Sequence, residues 1–326
     1  MKAVRVHELG GLDALVYEDA PSPELPPGHV RLGVRAVGLN FPDLLMTQGL
    51  YQFRPELPFS PGFEAAGVVL EVAEDVPGLS PGDRVTGFST HGALAEEMVV
   101  PAYGCFPIPD GIDFATAAAM TVTYGTSYHA LVDRARLASD ETLLVTGATG
   151  GVGSAAVQLG KALGARVIAT VGSTAKTEVA SNLGADHVID LSEHNLREGV
   201  KALTNGRGAD VIYEPVGGSV FLDTLRCVAW GGRILVVGFA SGVIPEAPMN
   251  LALLKGSSIV GVFWGEFARL APDSNHANTE RIFQLLEEGR IDPLICATFP
   301  LPEARQGLAM LAERRATGKV VVTVGD

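Results

Sequence analysis

The fold of this chain is decided by residues 143–159, which read LLVTGATGGVGSAAVQL. Apolar residues come first, then three glycines spaced three apart, then small and apolar residues. This order predicts a buried strand, a tight turn and the first turns of a helix. The backbone N–H groups of such a helix N-terminus can hold the pyrophosphate of a dinucleotide. Because the spacing G-x-x-G-x-x-G differs from the commoner G-x-G-x-x-G, the surroundings of the motif must decide its meaning.

The surroundings of the glycine turn alternate between helix and strand. From about Phe114 the pattern predicts a helix over 114–132. The strands predicted after it are 142–145, 166–171, 187–190, 210–213, 233–237 and 258–263. Strands that alternate with helices indicate a parallel doubly wound sheet. The glycine turn follows the first of these strands, where a dinucleotide fold requires it, so we interpret it as a nucleotide site.

The first 109 residues have a different pattern, with short strands and frequent Gly and Pro. Strands are predicted at 30–37 and 67–72, and Pro81-Gly82-Asp83 is typical of a turn before another strand. Repeated short strands of this kind favour a small barrel or sandwich. After Gly265 come two helices and an apolar strand, 319–324, which either extend the parallel sheet or return to the first domain. The pattern alone leaves these two alternatives open.

Length and charge limit the class of protein. A chain of 326 residues suggests two domains, because single cores stop growing at about 250–300 residues. The formal net charge of −13 argues against a basic footprint, so we expect no nucleic-acid partner. The sequence has neither an apolar run of about 18 residues nor a signal-peptide core, so no membrane association is expected. Cys105, Cys227 and Cys296 are too widely separated for a disulfide framework, which favours the cytoplasm.

The end of the second predicted strand of the parallel sheet bears on the cofactor. A classical NAD site has Asp or Glu there to bind the ribose 2′-hydroxyl. Here the strand is followed by Gly172, Ser173 and Lys176, and no carboxylate stands among these residues. A hydroxyl and a cation suit a 2′-phosphate, so we expect NADPH rather than NADH at these three positions. In the alternative interpretation, Lys176 is a solvated residue at the start of the next helix.

Seven motifs lie in order along nearly the whole chain. They are residues 37–44 (VGLNFPDL), 48–51 (QGLY), 61–67 (PGFEAAG), 81–85 (PGDRV), 150–153 (GGVG), 183–186 (LGAD) and 318–321 (GKVV). Together they resemble the medium-chain dehydrogenase/reductase superfamily, and within it the zinc-free quinone oxidoreductase (zeta-crystallin-like) branch. The resemblance implies an α/β protein with a GroES-like β-barrel domain, residues 1–124 and 266–326. It also implies a Rossmann doubly wound parallel-sheet domain, residues 125–265, and a homodimer, for which we expect an edge at 258–263.

The resemblance also bears on metal chemistry. Zinc-dependent relatives have Cys at the position of Asn40 and a Gly-His-Glu triplet at Gly62-Phe63-Glu64, so this chain has neither the Cys nor the His ligand. We therefore expect no metal, and an acceptor that needs no Lewis acid. A quinone or an α,β-unsaturated carbonyl meets this condition, because its conjugated system delocalises the electrons of a delivered hydride.

The resemblance implies roles for particular residues. Asn40, Asp43 and Tyr51 are expected beside the nicotinamide as catalytic residues. Asn40 orients the cofactor or donates to the acceptor's oxygen, and Tyr51 offers a ring and a hydroxyl. The alternatives are that Asp43 caps a helix beginning near Leu44 and that Tyr51 is a loop aromatic packed on the barrel. The expected cofactor contacts are Asn40, Thr126, Gly150, Gly151, Val152, Gly172, Ser173, Lys176, Val216, Gly238, Phe239, Phe263, Trp264 and Lys319.

The acceptor stays open at this point. Related branches reduce enones, alkenals or acyl-CoA thioesters on the same scaffold. The first alternative is therefore a 2-enoyl thioester reductase, for which Arg54 is a candidate basic residue near a CoA-sized channel. The second is a non-catalytic NADPH-binding protein with a structural or regulatory role. The chain departs from the family after the third strand of the parallel sheet. Many quinone reductases have Tyr there, near the cofactor phosphate, and this chain has Asp190-Leu191.

Overall fold

The computed structural model describes residues 1–325, which form two compact units. Unit 1 comprises Met1–Val122, Ala268–Thr279 and the chain from Pro293 onward, and unit 2 comprises Thr123–Phe267 and Glu280–Asp292. The boundaries predicted from the sequence assign residues 280–292 to the barrel domain, whereas in the structure they belong to unit 2. The reason is local packing, because the Gln158 side chain donates to the carbonyl of Asp292 (2.6 Å) and accepts its N–H (2.7 Å).

The N-terminal part of unit 1 consists of short strands separated by turns, as its Gly and Pro residues predict. Its elements are β1 (Lys2–Val6), β2 (Leu15–Asp19), β3 (His29–Leu39), α1 (Phe41–Thr47), β4 (Glu64–Val72), β5 (Arg84–Phe88), β6 (Glu97–Pro101) and β7 (Cys105–Pro107). In β3 the apolar residues Val30, Leu32 and Val34 alternate with others and are buried. Next comes α2 (Phe114–Tyr128), which continues into a π-helical segment, His129–Arg134.

Unit 2 alternates strand and helix, and the strands predicted from the sequence are confirmed. Its elements are β8 (Thr142–Val145), α3 (Gly151–Ala162), β9 (Arg166–Val171), α4 (Thr177–Asn182), β10 (His187–Asp190), α5 (Leu196–Leu203), β11 (Ala209–Glu214), α6 (Gly218–Cys227), β12 (Val228–Val236), α7 (Met249–Lys255), β13 (Ser258–Gly261) and the first part of α8 (Trp264–Leu270), whose residues from 268 onward belong to unit 1. The apolar residues of β8, Leu143, Leu144 and Val145, are fully buried, as expected for a strand covered on both faces.

The C-terminal segment completes the sheet of unit 1. It contains α9 (Pro272–Glu287), whose residues from 280 onward belong to unit 2, and then β14 (Ile295–Pro300), α10 (Ala304–Ala312) and β15 (Lys319–Thr323) in unit 1. β15 pairs antiparallel with β3 and parallel with β14, so the strand order is β14-β15-β3-β4-β5-β7, with β6 also paired to β3. Of the two alternatives that the sequence leaves open after Gly265, the structure has the return to the first domain.

The sheet of unit 2 is parallel throughout and has the order β10-β9-β8-β11-β12-β13. This is the doubly wound Rossmann arrangement that the glycine turn predicts. The strand order reverses between β8 and β11, and open parallel sheets bind ligands beyond the carboxyl ends of their strands at such a point. Within residues 1–325, the helices lack the combination of length and apolar character needed to cross a membrane.

Candidate active site

The glycine turn lies at the carboxyl end of β8 and leads directly into α3. Gly150 is the N-cap residue of this helix and has no side chain to cap it. The N–H groups of the first turn, beginning with Gly151 and Val152, therefore have no partner within the helix. A Cβ on Gly153 would lie 2.2 Å from the carbonyl oxygen of Gly147, so the turn closes this tightly only with glycine there. The result is a backbone cradle of N–H groups, which suits a phosphate.

A buried chain of hydrogen bonds holds the start of α3 in place. The Ser127 hydroxyl donates to the carbonyl of Val152 (3.0 Å), and the Tyr213 hydroxyl lies 2.8 Å from the same Ser127 oxygen. Because Ser127 has only one proton to give, Tyr213 must be the donor in the second bond. Burial raises the pKa of Tyr213 far above its ordinary value, so the hydroxyl keeps its proton. Sequence reasoning missed both residues, since neither stands in a recognised motif.

Glu214 connects the two loops at the topological switch point. This residue ends β11, and its fully buried carboxylate accepts hydrogen bonds from the Thr146 hydroxyl (2.9 Å) and the N–H groups of Val216 and Gly217 (3.0 Å each). Thr146 immediately precedes the glycine turn. Burial raises the pKa of Glu214, and these hydrogen bonds oppose that rise. Glu214 is not among the residues predicted from the sequence, although a carboxylate at the end of a buried strand indicates a possible site residue.

Most predicted cofactor residues of unit 2 lie at the same edge of the sheet. Gly172, Ser173 and Lys176 follow β9. Val216 follows β11, Gly238 and Phe239 follow β12, and Phe263 follows β13. The parallel sheet brings them to the edge that holds the glycine turn. Thr126 is half-buried in α2. Trp264 is only 6% exposed, and its ring packs against Gly125, where a Cβ would come within 2.7 Å of it.

In unit 1, a buried polar cluster surrounds the start of α1; we define it as Asn40, Asp43, Glu64 and Lys319. The Lys319 ammonium donates to Glu64 Oε1 (2.6 Å), to Asn40 Oδ1 (2.9 Å) and to the carbonyl of Leu39 (2.8 Å). These three bonds use the full donor capacity of an ammonium group. Lys319 was predicted as a cofactor contact, and in the structure its ammonium is directed at atoms of unit 1.

The side chain of Asn40 is held at both of its polar atoms. Its amide donates to Glu64 Oε1 (2.7 Å) and to the carbonyl of Gly38 (3.0 Å), while its oxygen accepts from Lys319. Glu64 also accepts the N–H of Val122 (2.6 Å) through its other oxygen. Asn40 therefore has no proton left for an acceptor's oxygen, and only one lone pair on its own oxygen is unused. The Asn40 side chain thus bonds both members of the ion pair, the Glu64 carboxylate and the Lys319 ammonium.

Asp43 lies in the first turn of α1, and its two carboxylate oxygens have different surroundings. Asp43 is the third residue of α1, and one of its carboxylate oxygens accepts the N–H of the N-cap residue Asn40 (2.7 Å), which is one bond of a capping box. The other, Oδ1, is buried and has no hydrogen-bond partner among residues 1–325. Burial raises the pKa of Asp43 to about 7, against the opposing effects of the Asn40 N–H and of Lys319. The helix begins at Phe41 and not near Leu44, so Asp43 stabilises its first turn from inside and is also a buried carboxyl that gains and loses a proton near neutral pH.

Tyr51 lies in the loop after α1, among aromatic rings. Its ring packs edge to face on Phe63, with centroids 5.3 Å apart, and lies 6.0 Å from the ring of Phe53. Burial, followed by the charge of Asp43, raises the pKa of the Tyr51 hydroxyl, so it keeps its proton at neutral pH. The family resemblance places Phe63 at the position where zinc-dependent relatives have His. Across residues 1–325, the structure shows no group of three His, Cys, Asp or Glu side chains arranged to hold a metal ion.

Comparison with known proteins identifies the family. The family models for an alcohol dehydrogenase GroES-like domain and for a zinc-binding dehydrogenase match residues 26–110 and 151–279, respectively. The chain is 41% identical over 325 residues to the quinone oxidoreductase-like protein 2 homolog of Nematostella vectensis, covering 98% of this chain and 88% of that protein.

Two solved structures are also similar over almost their full length. A quinone oxidoreductase of Pseudomonas syringae pv. tomato DC3000 has a TM-score of 0.93 and 31% identity, with 99% of each chain covered. The quinone oxidoreductase of Escherichia coli, solved in complex with NADPH, has a TM-score of 0.92 and 28% identity, with 99% of this chain and 100% of that chain covered. The chain thus belongs to the medium-chain dehydrogenase/reductase superfamily. Within that superfamily it is an oxidoreductase of the quinone oxidoreductase branch.

Proposed function

We propose that this protein uses NADPH to reduce a quinone or an α,β-unsaturated carbonyl compound, and that it does so without zinc. The observation that carries the proposal is the glycine cradle at the start of α3, in a chain similar to an NADPH-complexed quinone oxidoreductase. When bound, NADPH supplies a hydride from its nicotinamide ring. The N–H groups of Gly151 and Val152 would hold the pyrophosphate. Ser173 and Lys176 would contact the 2′-phosphate.

Independence from zinc is supported by the groups that occupy the equivalents of the zinc-ligand positions. Asn40 has a carboxamide in place of a thiolate, and Phe63 has a hydrocarbon ring in place of an imidazole. The Glu64 carboxylate is already neutralised by the Lys319 ammonium at 2.6 Å. A metal cation at this point would be repelled by the ammonium. The family model named for zinc binding matches residues 151–279, and none of these three positions lies in that range.

The remaining groups of unit 1 suit an acceptor that needs only a proton after the hydride. A quinone that receives a hydride becomes a hydroquinone anion, and one proton completes the reduction. The Tyr51 hydroxyl is protonated at neutral pH and would donate this proton, then recover it from solvent. The packed rings of Tyr51 and Phe63 offer a planar acceptor an aromatic face. Asp43 would set the charge beside Tyr51, because its carboxyl titrates near neutral pH.

The test follows nicotinamide absorbance with NADPH or NADH against quinones, enones, alkenals and enoyl-CoA esters. We expect NADPH-dependent turnover of quinones or enones that is unchanged after incubation with a zinc chelator. Tyr51→Phe keeps the ring and removes the hydroxyl, so it should lower kcat while NADPH binding is retained. Preferential turnover of enoyl-CoA esters would favour the thioester reductase, for which Arg54 is exposed in the same loop as Tyr51. Tight NADPH binding without turnover of any acceptor would contradict an enzymatic role.

We also propose a homodimer that pairs through β13. This strand ends the sheet order of unit 2, and β12 is its only neighbour among the strands of residues 1–325. Large apolar side chains of β12 and of α7, the helix that precedes β13 in the chain, are exposed: Trp230 is 79% exposed, Leu253 78% and Leu254 65%. An unpaired strand edge next to an apolar patch suits pairing with a second copy. Light scattering should give a dimer mass for the protein and a monomer mass for Leu253→Glu; a monomeric unsubstituted protein would contradict the proposal.

A further inference from the structure

Asp190 ties together the two loops that follow β9 and β10. These strands are neighbours in the sheet, with Asp190 opposite Val171, so their carboxyl ends lie side by side. One oxygen of the Asp190 carboxylate accepts a hydrogen bond from the Thr174 hydroxyl (2.7 Å). The other accepts the hydroxyl (2.6 Å) and the N–H (2.9 Å) of Ser192. Asp190 is only 8% exposed, so this arrangement is fixed by the fold.

The position of Thr174 makes this arrangement relevant to the cofactor. Thr174 stands between Ser173 and Lys176, the residues proposed to contact the 2′-phosphate. A hydroxyl has a single proton, and that of Thr174 is directed at Asp190. Thr174 therefore presents only lone pairs to an anion that enters this loop. The Thr174 hydroxyl therefore cannot donate a hydrogen bond to a phosphate while it donates to Asp190.

The charge of Asp190 acts in the same direction. The hydrogen bonds from Ser192, followed by that from Thr174, hold the pKa of Asp190 below its ordinary value, so the carboxyl is ionised at neutral pH. A negative charge thus lies in direct contact with the loop that would receive a phosphate dianion. Like charges at short range disfavour binding, and Lys176 provides attraction of the opposite sign.

We propose that Asp190 is a specificity-determining residue that weakens binding of the 2′-phosphate and keeps NADH usable beside NADPH. This inference rests on the proposed function, because it requires the adenosine ribose of the dinucleotide to lie at the loop after β9. Ser173 and Lys176 then favour binding of NADPH, and Asp190 opposes it. The preference of the protein for NADPH over NADH is the difference between these two effects. Replacement of Asp190 by a neutral residue shifts that difference toward NADPH.

The test measures binding, so that it does not depend on finding the acceptor. Dissociation constants are determined by calorimetry for NADPH, NADH, adenosine 2′,5′-bisphosphate and 5′-AMP. In Asp190→Asn, which keeps the side-chain shape, NADPH and the bisphosphate should bind about five- to tenfold more tightly. NADH and 5′-AMP should change by less than about twofold, because they have no 2′-phosphate. Asp190→Ser provides a second neutral variant if the amide disturbs the loop.

Two controls separate the charge effect from a general disturbance. Asp140 is exposed in the turn before β8, at the opposite edge of the sheet, so Asp140→Asn removes an equal charge and should leave all four constants unchanged. In the Asp190→Asn background the hydroxyl of Thr174 is free to turn toward the phosphate, and Thr174→Val should cancel part of the gain.

The outcomes distinguish the inference from the proposal on which it rests. Equal tightening of NADPH and NADH, or no change in either, overturns the inference while dinucleotide binding stands. An equal effect of Asp140→Asn also overturns it, because the charge would then act without regard to position. Failure of the unsubstituted protein to bind any of the four ligands overturns the inference together with the proposed function.

Discussion

Replacement of Lys319 by methionine tests the buried polar cluster most directly. Methionine keeps most of the length of the side chain and removes its charge and its three donors. The side chain of Lys319 is 3% exposed and that of Glu64 is fully buried, so the variant leaves the Glu64 carboxylate in the core without its counter-ion. Removing one partner of a buried ion pair costs about 3–5 kcal/mol. We expect Lys319→Met to lower the free energy of unfolding of unit 1 by this amount.

The assay takes advantage of the position of the tryptophans. Both tryptophans of the chain, Trp230 and Trp264, lie in unit 2, so their fluorescence reports on that unit during urea denaturation. Far-UV circular dichroism reports on the helices and strands of both units. In Lys319→Met, a dichroism transition should move to lower urea concentration, and the fluorescence transition should move less.

The double variant Lys319→Met/Glu64→Gln separates the effect of the unpaired charge from the effect of lost packing. It removes both charges, so it should recover more than half of the stability lost in the single variant. A cost below about 1 kcal/mol for Lys319→Met would refute the argument, because a buried carboxylate without its cation cannot be that stable. It would also refute the argument if the double variant lost as much free energy of unfolding as the two single variants lose together.

Three further predictions concern single side chains. The pKa of Asp43 is about 7 in the folded protein against an ordinary 3.8, so the native state binds more protons than the unfolded state between these values. The free energy of unfolding should therefore fall as pH rises from about 4 to 7, and urea titrations of Asp43→Asn should show a flatter dependence. Lys176→Ala should raise the KM for NADPH and leave that for NADH nearly unchanged; equal effects would contradict the assignment of Lys176. Glu214→Gln should weaken binding of NADPH and NADH alike by about tenfold in calorimetry, because it disturbs a shared loop; a selective effect would show that Glu214 acts on the 2′-phosphate.

The nucleotide-binding half of the fold could be predicted because its signals are local. The strand, the glycine turn and the start of α3 occupy 17 consecutive residues, from Leu143 to Leu159. Each following strand is a short apolar run with helical connections on both sides. Their carboxyl ends share one sheet edge by geometry, so predicting the strands also predicted where Val216 and Phe263 would lie. The local pattern did not predict the buried residues that hold these loops in place by hydrogen bonds, such as Glu214.

The buried polar cluster of unit 1 could not be predicted from local pattern. Lys319 and Glu64 are 255 residues apart in sequence and meet because β15 pairs with β3, which places Val320 opposite Leu39. Family resemblance pointed to both residues, but a motif does not say which atoms its side chains contact. The resemblance suggested a cofactor contact for Lys319. In the structure its ammonium donates its three hydrogen bonds to Glu64, Asn40 and the carbonyl of Leu39.

The distribution of protons in unit 1 limits the chemistry that its residues can support. Both amide protons of Asn40 are used in hydrogen bonds to Gly38 and Glu64, and the charge of Glu64 is compensated by Lys319. Two groups can still donate or accept a proton: the protonated hydroxyl of Tyr51, and the carboxyl of Asp43, which has one unpaired oxygen and titrates near neutral pH. These groups can move a proton, but they cannot stabilise a full alkoxide charge as a metal ion does. An acceptor that spreads the incoming charge over its own conjugated system needs no such stabilisation, and this is the reason for proposing quinones and enones rather than simple ketones as acceptors.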